Sequence, residues 1–351
     1  MDRGASVSAE QAGPARGAPA RPSAAPAAPA VGCSHGAALV DSPGEAVRVT
    51  AAFLEEGLRA GDLPVLAAAP ATAEAVRRAL GVSSGGVDED ARLILLGARA
   101  PGAAAVFRTL VGRAATAGSG RLRVAAEPWF GTDPRRWREV RRWEAASNAL
   151  AGALPATAMC VYDRGRLPAE ALRTARDTHR ELLVGGVVEG NPEYRDPAEY
   201  LHELAAVREP VEAGEPVYAV DDVPALPVLR RGLQQVLAAA VPDPDLCADL
   251  HLAVSEVAAN AFRHGRPPVS ARVWADGTSV VCTVTDSGPG IDEPLAGFVP
   301  AHGDDLSAGG MGLWLARKLW DSVDLLPGRE GGFTVRLATT LPAPVAGRGV
   351  A

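Results

Sequence analysis

Three segments in the C-terminal third constrain this chain more than anything else in it: HLAVSEVAANAFRHG at 251–265, TDSGPGI at 285–291 and GGMGLWLARKLWD at 309–321. They occur in that order within about seventy residues. The first reads as a helix over 245–263. Residues four apart share a helix face, so Asp249, Glu256, Asn260 and His264 lie along one side. Leu246, Leu250, Val254, Val257 and Ala261 lie on the other sides, some of them toward a core. Glu256 and Asn260 are then neighbours one turn apart. A carboxylate beside an amide oxygen suits a divalent cation and an activated hydroxyl. Magnesium takes hard oxygen ligands and completes its shell with water and phosphate oxygens, so Asn260 can supply one protein oxygen. Glu256 can take a proton from an attacking nucleophile. An isolated E-x-x-x-N pair is an ordinary solvated face; the segments that follow give this one a context.

Residues 279–286 are β-branched, lie between Gly277 and Ser287, and read as a strand. The strand ends in Asp286, Gly288 and Gly290. Two glycines let backbone approach a ligand closely, and Asp286 can accept the exocyclic amine of adenine. Gly309, Gly310, Met311 and Gly312 then open an amphipathic helix over 313–320, with Leu313 at its start. Amides at a helix N-terminus favour a phosphate, through unsatisfied N–H groups and the helix dipole. The intervening 292–308 is polar, with Gly and Pro.

Together the three segments resemble the N, G1 and G2 boxes of the GHKL (Bergerat-fold) ATPases, a superfamily that includes gyrase, the catalytic domains of sensor histidine kinases and the anti-sigma-factor serine kinases. The resemblance implies an α+β Bergerat-fold ATPase domain over 226–341 that binds ATP with Mg2+. It assigns Glu256 as catalytic base and Asn260 as the magnesium ligand. Around the nucleotide it sets Asp286, Gly288, Gly290, Gly309, Gly310, Met311, Gly312 and Leu313, and it makes 292–308 the ATP lid. Gly332, Phe333, Thr334 and Val335 resemble the family's final strand, which brings Thr334 into the expected set.

A chain of 351 residues has room for two ordinary domains. Its net charge of −7 offers no basic field to nucleic acid. Lys318 is the only lysine. That excludes a G-x-x-x-x-G-K-[ST] phosphate loop, and a protein kinase of the usual kind with its strand lysine. No apolar run approaches membrane-spanning length. Residues 1–31 are rich in Ala, Pro, Gly and Ser, lack the apolar core of a signal peptide, and read as a disordered tail. Cys33, Cys160, Cys247 and Cys282 are scattered singly, which suits a reducing cytoplasm.

In the N-terminal half, strand-like runs at 37–40, 63–69, 91–96, 121–126 and 157–162 alternate with helical stretches at 44–60, 71–80, 102–117, 134–151 and 168–179. A sixth strand is expected near 181–189. Such alternation predicts a parallel sheet covered on both faces, an α/β domain over 32–206. Residues 207–225 read as a linker, or as an extended arm laid on the next domain. A helix over 227–240 opens that domain, Pro242 to Asp245 break it and cap the next helix, and 342–351 is expected to be a loose tail. Cys33-Ser-His35-Gly-Ala-Ala-Leu, Ala125-Ala-Glu-Pro-Trp129, Arg142-Trp-Glu144, Cys160-Val-Tyr-Asp163 and Thr178-His179 resemble the MEDS sensory domain. Such domains resemble a recombinase-type α/β core that has lost its phosphate loop, which is consistent with the missing lysine. An aromatic residue often found before the Asp41 position is Val40 here. His35, Cys160, Tyr162 and His179 sit near strand or helix ends, where open α/β sheets place ligands. Cysteine and histidine there can bind a metal or sense redox state; a small buried cysteine can equally be packing.

This pairing of domains resembles cytoplasmic regulators described as anti-sigma regulatory factors or serine kinases. It implies a sigma factor and an antagonist protein as partners, the latter bound or phosphorylated on serine or threonine. A small-molecule or redox signal would act at the N-terminal domain. No direct nucleic-acid or membrane partner is expected, and a homodimer is compatible. Two other classes stand beside this one. A sensor histidine kinase needs a phospho-accepting histidine on a dimerising helical hairpin. His202, followed by Glu203 with Pro210 downstream, has a faint likeness to an H box, but its helix is short and no second helix of suitable length follows before Pro227. The third class is a non-catalytic, nucleotide-dependent binder.

Overall fold

The computed structural model describes residues 34–131, 133–152, 154–291, 293, 295–300, 310–327 and 332–342. The predicted alternation in the N-terminal half forms a seven-stranded sheet. Its strands are β1 (Ser34–Val40), β2 (Leu63–Ala67), β3 (Asp88–Glu89), β4 (Leu122–Ala126), β5 (Ala156–Asp163), β6 (Glu181–Val184) and β7 (Val187–Gly190), in the order β3-β2-β4-β5-β1-β6-β7. Neighbours run parallel except β7, which returns antiparallel on β6. The helices are α1 (Pro43–Ala60), α2 (Pro70–Leu80), α3 (Ala100–Ala114), α4 (Pro134–Ala151), α5 (Ala169–Thr178) and α6 (Pro197–Ala206). Side chains alternate across a strand. Cys160 and Tyr162 of β5 therefore pack with Ala103, Val106, Trp143 and Ala171 of α3, α4 and α5. Met159 and Val161 pack on the opposite face, with Ala46 and Val49 of α1. Both faces are covered at the centre of the sheet, so the inner strands β2, β4, β5 and β1 are largely apolar rather than alternating.

Two expectations are corrected here. Residues 91–96 are not a strand. Asp90 accepts a hydrogen bond from the Arg92 amide at 3.1 Å and caps a 3-10 turn over Ala91–Ile94, which ends at Leu95 with φ 59°. The apolar run is buried, but by a turn; β3 (Asp88–Glu89) ends before the capping Asp90. A short apolar run does not by itself distinguish strand from helix. The single strand expected near 181–189 is the hairpin β6–β7, turned by Gly185 and Gly186 at φ 57° and 83°. A two-residue hairpin turn of this hand needs positive φ at both central positions, where glycine is unstrained.

The second sheet is antiparallel, in the order β11-β12-β10-β9-β8. Its strands are β8 (Tyr218–Val220), β9 (Ser270–Ala275), β10 (Ser279–Asp286), β11 (Ser322–Pro327) and β12 (Phe333–Thr340). Helices α7 (Leu226–Ala240), α8 (Pro244–His264) and α9 (Gly312–Leu319) cover one face. Leu229, Leu233, Leu250, Val254, Val257, Leu313 and Trp320 form a core with Val273, Val284, Val335 and Leu337. Asp243 caps α8 by accepting from the amides of Asp245 and Leu246 at 2.9 and 3.1 Å, as the Pro-Asp-Pro-Asp break predicts. The segment before α7 is an arm rather than a free linker, since β8 pairs with β9 and extends the sheet.

Buried charges join the two halves. Arg135 and Arg138 of α4 pair with Glu209, and Arg142 pairs with Asp324 of β11. Arg336 of β12 binds Asp324 at 2.6 Å, Glu212 at 3.1 Å, and the carbonyls of Ala205 and Val207. Burial alone would raise the Glu209 pKa, but Arg135 and Arg138 hold it below the usual carboxylate range. Among the described residues no helix is long and apolar enough to cross a membrane.

Candidate nucleotide-binding site

A cavity of about 430 Å³ lies between α8, the end of β10, the segment 293–300, the start of α9 and β12. Its size falls within the ~300–1,000 Å³ typical of small-molecule sites. Of the expected residues, Asn260, Asp286, Gly290, Gly310 and Leu313 line it.

Asp286 ends β10 and is buried. Its Oδ1 accepts from the Gly288 amide at 2.7 Å and the Arg266 amide at 3.3 Å, which fixes the carboxylate in one orientation. Space for it is made by glycines. A Cβ on Gly265 would lie 2.4 Å from the Asp286 carboxyl carbon, and one on Gly288 would lie 2.7 Å from its Oδ1. Gly290 has φ 80°, and a Cβ there would lie 2.6 Å from the Phe333 ring. Gly288 thus holds the carboxylate from beneath, while Gly290 lets the turn close on β12.

Across the cavity, α9 approaches α8 closely. A Cβ on Gly312 would lie 2.7 Å from Asn260 Nδ2 and 3.4 Å from Glu256 Cβ. The closeness that glycine permits brings the unsatisfied N–H groups of α9 beside Asn260. Met311 is the residue that precedes α9, and its carbonyl accepts from Leu315 at 2.8 Å. Glu256 is not on the cavity wall. It lies one turn back on α8, half-exposed, with Oε1 3.5 Å from Arg230 Nη2 of α7. Arg230 has no signature in the sequence, since it pairs across 26 residues through helix packing.

Thr334 requires a correction. Phe333 and Val335 line the cavity, and Thr334, between them on β12, faces the other side of the sheet, where its Oγ1 bonds that of Thr285 at 2.8 Å. Strand alternation carries the reason: with apolar Phe333 and Val335 inward, Thr334 points outward. Gly309 lies outside the described residues, as do 292, 294 and 301–308 of the expected lid.

The described part of that segment faces two ways. Leu295, Ala296, Gly297, Val299 and Pro300 form one wall of the cavity. On its other side Phe298, fully buried, joins the core of the N-terminal domain, and Leu295 packs against the cluster of Ala145, Tyr200 and Leu201. Arg317 of α9 stacks on the Phe298 ring at 4.4 Å and donates to the Ala296 carbonyl at 2.9 Å. Burial, with Arg142 nearby, brings the Arg317 pKa down to about 9.

The N-terminal domain holds a second concentration of chemistry. His35, Cys160, Tyr162 and His179, separate in sequence, converge, and Glu144 of α4 joins them. Burial and the neighbouring His179 lower the His35 pKa to about 4. Burial would raise the Glu144 pKa, but His179 and His35 hold it below the usual range. Burial and the Glu144 charge raise the Tyr162 phenol well above its ordinary value.

An antiparallel sheet backed by helices, with a cavity between an E-x-x-x-N helix and a glycine-opened helix, defines an α+β ATPase domain of the histidine kinase type, here preceded by an α/β domain. Comparison with protein families gives the same division. Residues 220–339 match the histidine kinase-like ATPase domain, and residues 34–180 match MEDS, the methanogen/methylotroph DcmR sensory domain. The chain joins an N-terminal MEDS domain to a C-terminal histidine kinase-like ATPase domain. Among solved structures, the NMR structure of the histidine kinase domain of the E. coli osmosensor EnvZ matches at 20% identity. That match covers 39% of this chain and 97% of that one, with a TM-score of 0.23. No curated protein matches the chain.

Proposed function

We propose that residues 226–341 bind ATP with magnesium and that the protein is a cytoplasmic anti-sigma regulatory factor that phosphorylates a serine or threonine of an antagonist protein, under control of the MEDS domain. The observation that carries this reading is the convergence of Asp286, Asn260 and the start of α9 on one cavity. A fixed carboxylate, apolar walls from Val257, Leu313 and Phe333, and a glycine-opened helix suit an adenine at one end and phosphates at the other. Bound ATP–magnesium would supply the phosphoryl group and offset its charge. Asp286 would accept the adenine amine, Asn260 would give the metal one oxygen, and the first amides of α9 would hold phosphate oxygens. Glu256 would take the proton of the attacking hydroxyl. Its half-exposed side chain, outside the cavity wall, favours a hydroxyl arriving from another protein.

The described residues also favour an acceptor other than His202. Helix α6 is only ten residues long and buries Tyr200, Leu201 and Leu204 against this chain. It is followed by a 3-10 turn and β8, where a dimerising hairpin would need a second long helix. Control by the N-terminal domain is supported by the segment 295–299, which walls the cavity on one side and packs into that domain on the other. An element held from both sides can bias nucleotide state and partner surface together.

The test is incubation with γ-labelled ATP, alone and with a candidate antagonist. Acid-stable label on the antagonist is the expected result. Acid-labile label on His202 would establish a histidine kinase instead. Nucleotide binding without label on any protein would leave a non-catalytic binder. Co-purification of a sigma factor with the full chain, dependent on ATP and magnesium, tests the partner class.

A further inference from the structure

We propose that His35, Glu144, Cys160 and His179 form a buried site for a zinc-like transition metal in the N-terminal domain. Four side chains that are each at least nine-tenths buried offer ligand atoms that all lie within 4.8 Å of one another. His35 Nε2 is 3.2 Å from Cys160 Sγ and 4.0 Å from Glu144 Oε2, and His179 Nε2 is 3.3 Å from that same oxygen. Around a tetrahedral zinc with bonds of about 2.0–2.3 Å, ligand atoms stand about 3.3–3.6 Å apart. The cluster is therefore near the size of the shell it would form. Three elements build it: His35 comes from β1, Cys160 from the paired β5, and Glu144 from α4, while His179 follows α5.

The hydrogen bonds fix which nitrogens face the centre. His179 Nδ1 lies 3.0 Å from the Ala175 carbonyl, which can only accept, so Nδ1 carries the proton. Thr178 Oγ1, also 3.0 Å from Nδ1, already donates to the Thr174 carbonyl and can accept there. His179 Nε2 is then the nitrogen turned to the centre, 3.3 Å from Glu144 Oε2. At His35, Asn148 Nδ2 donates to the carbonyls of Glu144 and Thr178, which turns Asn148 Oδ1 toward His35 Nδ1 at 3.2 Å. His35 Nδ1 therefore donates, and its Nε2 also presents a lone pair inward. Metal-binding histidines have this arrangement, with the outer nitrogen donated to a carbonyl or amide oxygen. Tyr162 donates to Glu144 Oε2 at 3.2 Å and steadies the carboxylate in the same way.

Charge and hardness select the ion. Two imidazoles, a thiolate and a carboxylate suit zinc over magnesium or calcium, which prefer oxygen ligands. Binding would release the Cys160 proton to solvent, and the two anionic ligands would then balance a divalent charge. A cavity of about 50 Å³ bordered by His35, Glu144 and Cys160 adjoins the cluster. Glu144 sits two residues after Arg142, whose pair with Asp324 ties α4 to the ATPase domain. Metal occupancy and the interdomain contact thus share one helix.

The test uses the full chain, stripped of metal and free of nucleotide. It is titrated with Zn2+ against a chromophoric chelator and separately with Co2+. One equivalent of zinc should bind, and cobalt should give a thiolate charge-transfer band with intense tetrahedral d–d absorption. Cys160→Ser should abolish that band, and Glu144→Gln should weaken zinc at least tenfold. Cys247→Ser, at a half-buried cysteine of α8, should change neither. Thermal unfolding without metal checks that each variant folds; if Cys160→Ser does not, the wild-type cobalt spectrum and Glu144→Gln decide. No stoichiometric zinc or cobalt, or equal affinity in wild type, Cys160→Ser and Glu144→Gln, would overturn the site and leave a buried polar cluster that holds no metal.

Discussion

Asp286→Asn gives the sharpest test of the adenine end of the cavity, because the structure dictates how the new amide must sit. Oδ1 of Asp286 already accepts from the amides of Gly288 and Arg266 at 2.7 and 3.3 Å. An asparagine keeps both bonds only if its oxygen takes that place, which turns its NH2 group toward the ligand. The fold is retained, since the two backbone donors stay satisfied and the side chain keeps its volume. Adenine's exocyclic amine, a donor, then meets a donor. Loss of a hydrogen bond to a charged group is worth about 1.5–3 kcal/mol, roughly ten- to hundredfold in affinity. The preference should also move, because the oxo group of guanine is an acceptor and would meet the amide well. Calorimetry of the full chain with ATP and GTP, each with magnesium, reads both effects. Unchanged ATP affinity in a folded Asp286→Asn variant, with no shift toward GTP, would refute the assignment of Asp286 to the base.

Three further outcomes follow from the same geometry. Glu256→Ala should keep nucleotide affinity within a fewfold and lower phosphate transfer by about 10²–10⁴; full transfer activity would remove Glu256 as the base. Gly312→Ala places a Cβ 2.7 Å from Asn260 Nδ2, so it should weaken magnesium-dependent ATP binding about tenfold or more while leaving the thermal midpoint nearly unchanged. An equal loss with and without magnesium, read by calorimetry in EDTA, would argue against Asn260 as the metal ligand. Asp324→Ala leaves the guanidinium groups of Arg142 and Arg336 buried without their shared carboxylate. It should cost about 3–5 kcal/mol in denaturant unfolding; a loss below 1 kcal/mol would mean that solvent reaches this interface.

The chain's own order of residues determined the features that depend on short spacing. The four-residue interval from Glu256 to Asn260, the Asp243 cap, the glycines that open α9 and the alternation of strand and helix all encode local geometry, which neighbours in sequence suffice to set. Tertiary structure decided what depends on pairing between distant segments. Residues 91–96 supply buried apolar area that a strand or a turn can both provide, and only the surrounding packing makes them a turn. Family likeness points Thr334 at the nucleotide, but the register of β12 on β10 sets it beside Thr285 on the outer face, as the apolar flanking Phe333 and Val335 signal. Arg230 reaches Glu256 only because α7 packs on α8. Glu144 meets His35 and Cys160 only because α4 lies over the paired β1 and β5. The lid segment is the clearest case: its glycines and polar residues mark a loop, whereas its attachment to the N-terminal domain comes from burying Phe298 in a core whose other buried residues end at Ala175. Burial is a property of the folded whole, so no local window of the sequence contains it.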